Sequence, residues 1–113
     1  MEPLEALRTY LAAANEAVQP ESVAYAGELA RVSGGQRLLD AHEDYVTAVT
    51  RALLDRAVEA RAIAAVDTAS VAHVLGGLGR EFARPGVAEI AARPPKQTAD
   101  AMTEIILRGL ERG

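Results

Sequence analysis

The chain has 113 residues, enough for one domain around one modest core. A net charge of −4, with arginines scattered among acidic residues, argues against a nucleic-acid contact by this chain, and the lack of cysteine excludes disulfide and thiolate chemistry. No apolar run approaches the roughly 18–20 residues of a membrane span, and Met1-Glu2-Pro3-Leu4 has neither the basic start nor the apolar stretch of a secretory signal, so a cytoplasmic location is expected.

Half of the residues are apolar, but that half is mostly alanine, valine and leucine, with one Phe, three Tyr and no Trp. Small apolar pieces suit closely packed helices. Lys96 is the only lysine among twelve basic residues, a bias that suggests a GC-rich bacterial genome.

The first helix is predicted over Pro3 to Val18, with proline early, where its missing N–H does no harm. Leu4, Leu7, Leu11, Ala14 and Val18 form its apolar stripe. Gln19-Pro20 ends it and opens a second helix, Pro20 to Val32, carrying Val23, Ala26, Leu29 and Ala30. Ser33-Gly34-Gly35 is a stop signal. The longest helix, Gln36 to about Ala62, repeats Leu38, His42, Tyr45, Val46, Val49, Leu53, Ala57 and Ala60 at helical spacing. Its charged residues, Glu43 and Asp55 among them, lie mostly on the other side, and Arg51 and Asp55 are spaced to pair. Ile63 to Val66 reads as a connector, and Asp67 as an N-cap.

The helix from Asp67 to Ala83 has two apolar stripes. Ala69, Ala72, Gly76, Gly79 and Ala83 make one line; Val71, Val74, Leu75, Leu78 and Phe82 make its neighbour. A surface helix needs a single apolar stripe and a polar back. Glycine within a helix costs about 1 kcal/mol relative to alanine, so Gly76, Gly77 and Gly79 require a reason, and close approach of another backbone is the usual one. Arg84-Pro85-Gly86 stops this helix. From Gly86 to Gln97 the chain is irregular, with one or two turns possible over Val87 to Ala91. The last helix, Pro95 to Leu110, has Ala99, Met102, Ile105, Ile106, Gly109 and Leu110 as its stripe and Glu104 paired with Arg108 outside. No strand alternation persists, so the expected fold is all-α with about five helices in one domain.

Catalytic chemistry has little foundation. No serine stands in a G-x-S-x-G frame, and Gly76-Gly77-Leu78-Gly79 lacks the preceding strand and the following Lys-Ser/Thr of a phosphate loop. A helical metal site needs a second ligand three or four residues on. From His42 those positions hold Tyr45 and Val46, and from His73 they hold Gly76 and Gly77. No enzyme, cofactor or metal is expected. A ligand cavity is the stronger expectation: Tyr10, Tyr25, His42 and Tyr45 are polar tips on otherwise apolar inner faces. The surplus apolar surface of the last two long helices points to a homodimer with a four-helix interface. Its residues would be Ala72, Leu75, Gly76, Leu78, Gly79, Phe82, Met102, Ile105, Ile106 and Gly109.

The run from Arg51 to Ile63, then Val66-Asp67, the small-residue helix and Thr98 to Leu110 resembles the C-terminal half of TetR-family transcriptional regulators, and Glu2 to Leu11 is similar to the start of that family's effector domain. The resemblance spans nearly the whole chain through patterns rather than invariant motifs. It implies an effector-binding and dimerisation domain of a repressor, with Asp67–Ala83 and Pro95–Leu110 as the bundle helices and a small, mostly apolar effector held near Tyr10, Tyr25, His42 and Tyr45. The family's N-terminal helix-turn-helix is absent ahead of Pro3, so a truncated regulator or a headless member that only pairs is expected, with DNA reached only through the missing domain. A small helical enzyme is the weakest alternative.

Overall fold

The computed structural model describes residues 2–112. Among them are six α-helices and one 3₁₀ turn: α1 (Pro3–Ala14), the 3₁₀ turn (Asn15–Val18), α2 (Pro20–Ala30), α3 (Gly35–Glu59), α4 (Thr68–Ala83), α5 (Pro85–Ile90) and α6 (Pro95–Leu110). The fold is all-α, and five of these helices are the expected ones. The sixth, α5, occupies the stretch read as irregular. None is long and apolar enough to cross a membrane. The side chains of Val18, Pro20, Glu21, Ala83, Pro85 and Ala88 lie outside the described residues.

One cluster forms the core: Leu7 and Leu11 of α1, Leu54 and Ala57 of α3, Ile63, Ala72 and Leu75 of α4, and Leu107 of α6. α4 runs between α3 and α6, and α1 packs across α3 and α6. The buried line of α3 is Val46, Thr50, Leu54 and Ala57, one residue out of phase with much of the apolar stripe read from the sequence. Leu38 and Tyr45, counted in that stripe, are 63% and 64% exposed. Thr50 explains the difference. Its hydroxyl donates to the Val46 carbonyl at 2.7 Å, which satisfies it without water and lets its methyl face the core. Thr103 does the same in α6, donating to Ala99 at 2.8 Å.

The junctions have clear causes. Gly34 has φ +79°, the left-handed region, and turns the chain from α2 into α3. A Cβ on Gly35 would lie 1.7 Å from the Leu29 carbonyl oxygen, so this position admits only glycine unless the end of α2 moves. Beyond α3, Arg61 adopts φ 59°; Ala62 N–H donates to Ala57 and Arg61 N–H to Val58, the paired bonds of a Schellman ending. Ile63 then forms an isolated antiparallel bridge with Glu111, fastened by Ala64 N–H to Leu110 and Arg112 N–H to Ala62. Asp67 is the N-cap of α4, accepting from the Ser70 backbone N–H at 3.1 Å and the Ser70 hydroxyl at 2.6 Å.

The glycines of α4 resolve separately. A Cβ at Gly76 would meet Thr47 Oγ1 at 3.0 Å and Thr47 Cα at 3.5 Å, so the close approach it permits is to α3 of the same chain. This corrects the assignment of Gly76 to a subunit interface. Ala72 and Leu75 are corrected with it: both are buried in the chain's own core, 0% and 1% exposed. Gly77 has nothing within 4 Å. Glycine-to-alanine changes should therefore differ in sign. Gly77→Ala should stabilise the fold by about 0.5–1 kcal/mol through helix propensity. Gly35→Ala should destabilise it, and Gly76→Leu should cost about 1–3 kcal/mol by overpacking against Thr47. Urea unfolding of the three variants, followed by circular dichroism, checks all three signs.

Candidate functional site

A cleft of about 270 Å³ opens where the 3₁₀ turn, α2, α3 and α4 meet. α2 contributes Val23 and Ala26, α3 contributes Leu39 and Val46, and α4 contributes Leu75, Gly76 and Gly79. Gly76 and Gly79 line the hollow on the α4 side, and Gly76 is also the residue at which α4 comes close to α3. The polar lining is Asn15, Gln36, His42 and an ion pair, Glu43 with Arg80. Arg80 Nη2 lies 2.6 Å from Glu43 Oε2, an ion pair that joins α3 to α4. Asn15 is 3% exposed, and its Nδ2 donates to Asp100 Oδ1 at 2.9 Å, tying the floor of the cleft to α6.

Of the four residues expected to line a cavity, His42 lines this cleft and Tyr10, Tyr25 and Tyr45 do not. Tyr45 is turned outward, one helical step from the buried line of α3, and Tyr25 is 70% exposed on α2. Tyr10 is half-buried; burial pushes its phenol above the ordinary tyrosine range, and the nearby Tyr45 phenol adds to the shift. The four do not converge, because the phase error in α3 assigned Tyr45 to the inside. The cleft residues Glu43 and Arg80 were missed because a charged residue reads as a solvated face until its partner on another helix is known. Their spacing across two helices leaves no local signal.

A second hollow, about 550 Å³ and more open, lies between α3 and α4 beside the first. Asp44, Arg51, Asp55 and His73 line it. Asp55 accepts a hydrogen bond from the Thr68 hydroxyl, which fastens the first residue of α4 to α3; its expected pairing with Arg51 does not form. Among the described residues no cluster of His, Asp and Glu has the arrangement to hold a metal ion.

The remaining face of interest is on α4 and α6. At about 100° per residue, Val74 and Leu78 stand on the side of α4 away from Gly76 and its contact with α3, toward α6. On α6, Met102, Ile105 and Gly109 stand away from Leu107, which enters the core. Val74 is 50%, Met102 40% and Ile105 64% exposed, and a Cβ added at Gly109 would meet open space. Leu78 and Ile106 are half-buried beside the core, and Phe82 is half-buried as well. Gly79 is buried and lines the cleft, so it faces inward. The outward apolar surface is thus narrower than the sequence stripes and includes Val74, which those stripes did not assign to the interface.

Opposite this face, charges lock α6 to α1. Glu104 accepts from Arg8 Nε at 3.0 and 3.2 Å and from Arg108 Nε at 3.1 Å, and Arg8 Nη2 reaches Glu111 at 2.6 Å. The hydrogen bond from Arg8, foremost, and that from Arg108 hold the Glu104 carboxyl below its usual range; Glu104 and Glu111 raise the Arg8 guanidinium. The chain matches no family model, no curated protein and no solved structure.

A carboxylate with a depressed native pKa stabilises the fold at pH values above its unfolded pKa, and that stabilisation is lost as pH falls through the native value. The melting temperature should therefore fall as pH drops below the ordinary carboxylate range, about 4.3 for glutamate. Glu104→Gln should lower the melting temperature at neutral pH and flatten that acid limb. Differential scanning calorimetry from neutral to acidic pH checks it, and high salt should shrink the difference, since the network is partly exposed.

Proposed function

We propose that this chain is the dimerising, effector-binding module of a TetR-like transcriptional regulator, with DNA reading supplied by a domain outside it. The observation that carries the reading is the double duty of α4. One side, through Leu75, Gly76, Gly79 and Arg80, is a wall of the cleft. The other, through Val74 with Met102 and Ile105 of α6, is exposed and apolar. Large apolar side chains gathered on one face of adjoining helices are the usual mark of a surface that another chain covers. A helix shared between a cleft and such a surface is the simplest device by which a small molecule alters how two subunits sit together. The resemblance read from Arg51 to Leu110 assigns the same two helices to a subunit bundle, and it rests on those residues alone.

In this reading two copies pair about a two-fold axis, α4 and α6 of one against α4 and α6 of the other. The small residues Gly77 and Gly109 lie on or beside that face and let the helices approach closely. The mostly apolar cleft takes a small molecule, and no reaction is carried out on it. Sedimentation velocity at micromolar concentration should give a dimer. Ile105→Asp combined with Val74→Asp should give a monomer with unchanged helix content, because both side chains already face water in the single chain. A wild-type chain that sediments as a monomer would remove the proposal.

A further inference from the structure

We infer that the cleft selects a small amphiphile with a positively charged head, an alkylammonium in kind, whose cation takes the place of the Arg80 guanidinium on the Glu43 carboxylate. The inference rests on the cleft being the ligand site and names the class of ligand. The apolar part of the lining, Val23, Ala26, Leu39, Val46 and Leu75, offers an alkyl chain its contact, beside the uncharged side chains of Asn15 and Gln36. The charged groups in the lining are Glu43 and Arg80, paired at 2.6 Å. A ligand with a charged head that seeks full charge pairing in the cleft therefore competes with one of them.

The two partners are not equally replaceable. The Arg80 side chain is 64% exposed and that of Glu43 33%. A displaced guanidinium swings into water it already touches and keeps its charge solvated. A carboxylate displaced by an anionic ligand stays in its half-buried place without a cation, and an unpaired charge there is costly. Exchange by a cation keeps Glu43 paired throughout. The surroundings favour the same sign. Asp40 and Asp44 sit on α3 within one turn of Glu43, outside the cleft lining, and the chain carries a net −4, so the long-range field adds to the attraction for a cation. The exchange also severs the ion pair that joins α3 to α4, so occupancy releases a tie on the helix that carries the apolar face.

Octylammonium, octanol and octanoate share a chain and differ in the head. Each is titrated into the full chain while the amide resonances of Ala26, Gly76 and Gly79 are followed by nuclear magnetic resonance. Octylammonium should bind about tenfold more tightly than octanoate, with octanol between them. Glu43→Gln should remove about tenfold of the octylammonium affinity and leave octanol unchanged. Arg80→Gln, which deletes the competing cation, should tighten octylammonium severalfold. Octanol binding with no preference among heads, or octanoate binding most tightly, overturns the charge assignment and leaves the cleft as a ligand site. Unmoved Gly76 and Gly79 resonances with all three probes overturn the cleft itself. An octylammonium affinity that Glu43→Gln leaves unchanged, or that Arg80→Gln weakens, overturns the exchange.

Discussion

The close packing of α4 against α3 at Gly76 is the contact on which the rest of the molecule depends. With hydrogen in place of a side chain, α4 approaches until Thr47 would lie 3.0 Å from an added Cβ. That approach places Ala72 and Leu75 in the core with Leu54 and Ala57, leaves Val74 on the far side, and sets Arg80 within reach of Glu43. Glycine at this point has a propensity cost of about 1 kcal/mol. The dispersion contacts of two helices in close register offset it, as many small attractions between heavy atoms.

A core of leucines, alanines and one isoleucine has few large side chains to fix its register. Polar contacts supply some of that specificity. Thr50 and Thr103 enter the interior with their hydroxyls bonded to their own helices, and Asn15 ties the 3₁₀ turn to Asp100. Among the described residues no buried side-chain polar atom lacks a partner. The Ile63–Glu111 bridge and the Arg8–Glu104–Glu111 network bind the chain's C-terminal end to α1 and to the connector after α3. By contrast, no side-chain hydrogen bond joins α2 to another element among the described residues, and Val23, Tyr25 and most of its surface face solvent. The cleft thus has three braced walls and one lightly held wall.

The type and approximate limits of the five longer helices were legible because proline, glycine and the Asp67 cap act locally, while the six-residue α5 was not. The α3 face was less legible. Its apolar residues Leu38, Tyr45, Val46, Val49 and Leu53 support two phases about one residue apart, and the choice between them rests on a threonine that counts as polar on any scale. The two stripes of α4 were visible, but not which neighbour each would meet. Two internal partners, α3 and α6, account for much of what looked like surplus. On α4 and α6, Val74, Met102 and Ile105 are the large apolar side chains left exposed among the described residues. The cleft was the least legible feature, since Glu43 and Arg80 are 37 positions apart and acquire meaning only when two helices cross.

The position of the ion pair along α4 has a mechanical consequence. The N-terminal end of the helix is held by the Asp67 cap and by Thr68 on Asp55. Its middle is held by the Gly76 contact. Arg80 is the remaining polar tie from α4 to α3, and it lies in the last turn and a half, just before the break at Arg84. A helix fastened at one end and in the middle responds to loss of the third tie by moving its free end. Leu78 and Phe82, both half-buried, lie on that end of a helix that packs on α6. A change in charge pairing inside the cleft therefore reaches the α4–α6 seam through about one turn of helix, without requiring rearrangement of the core.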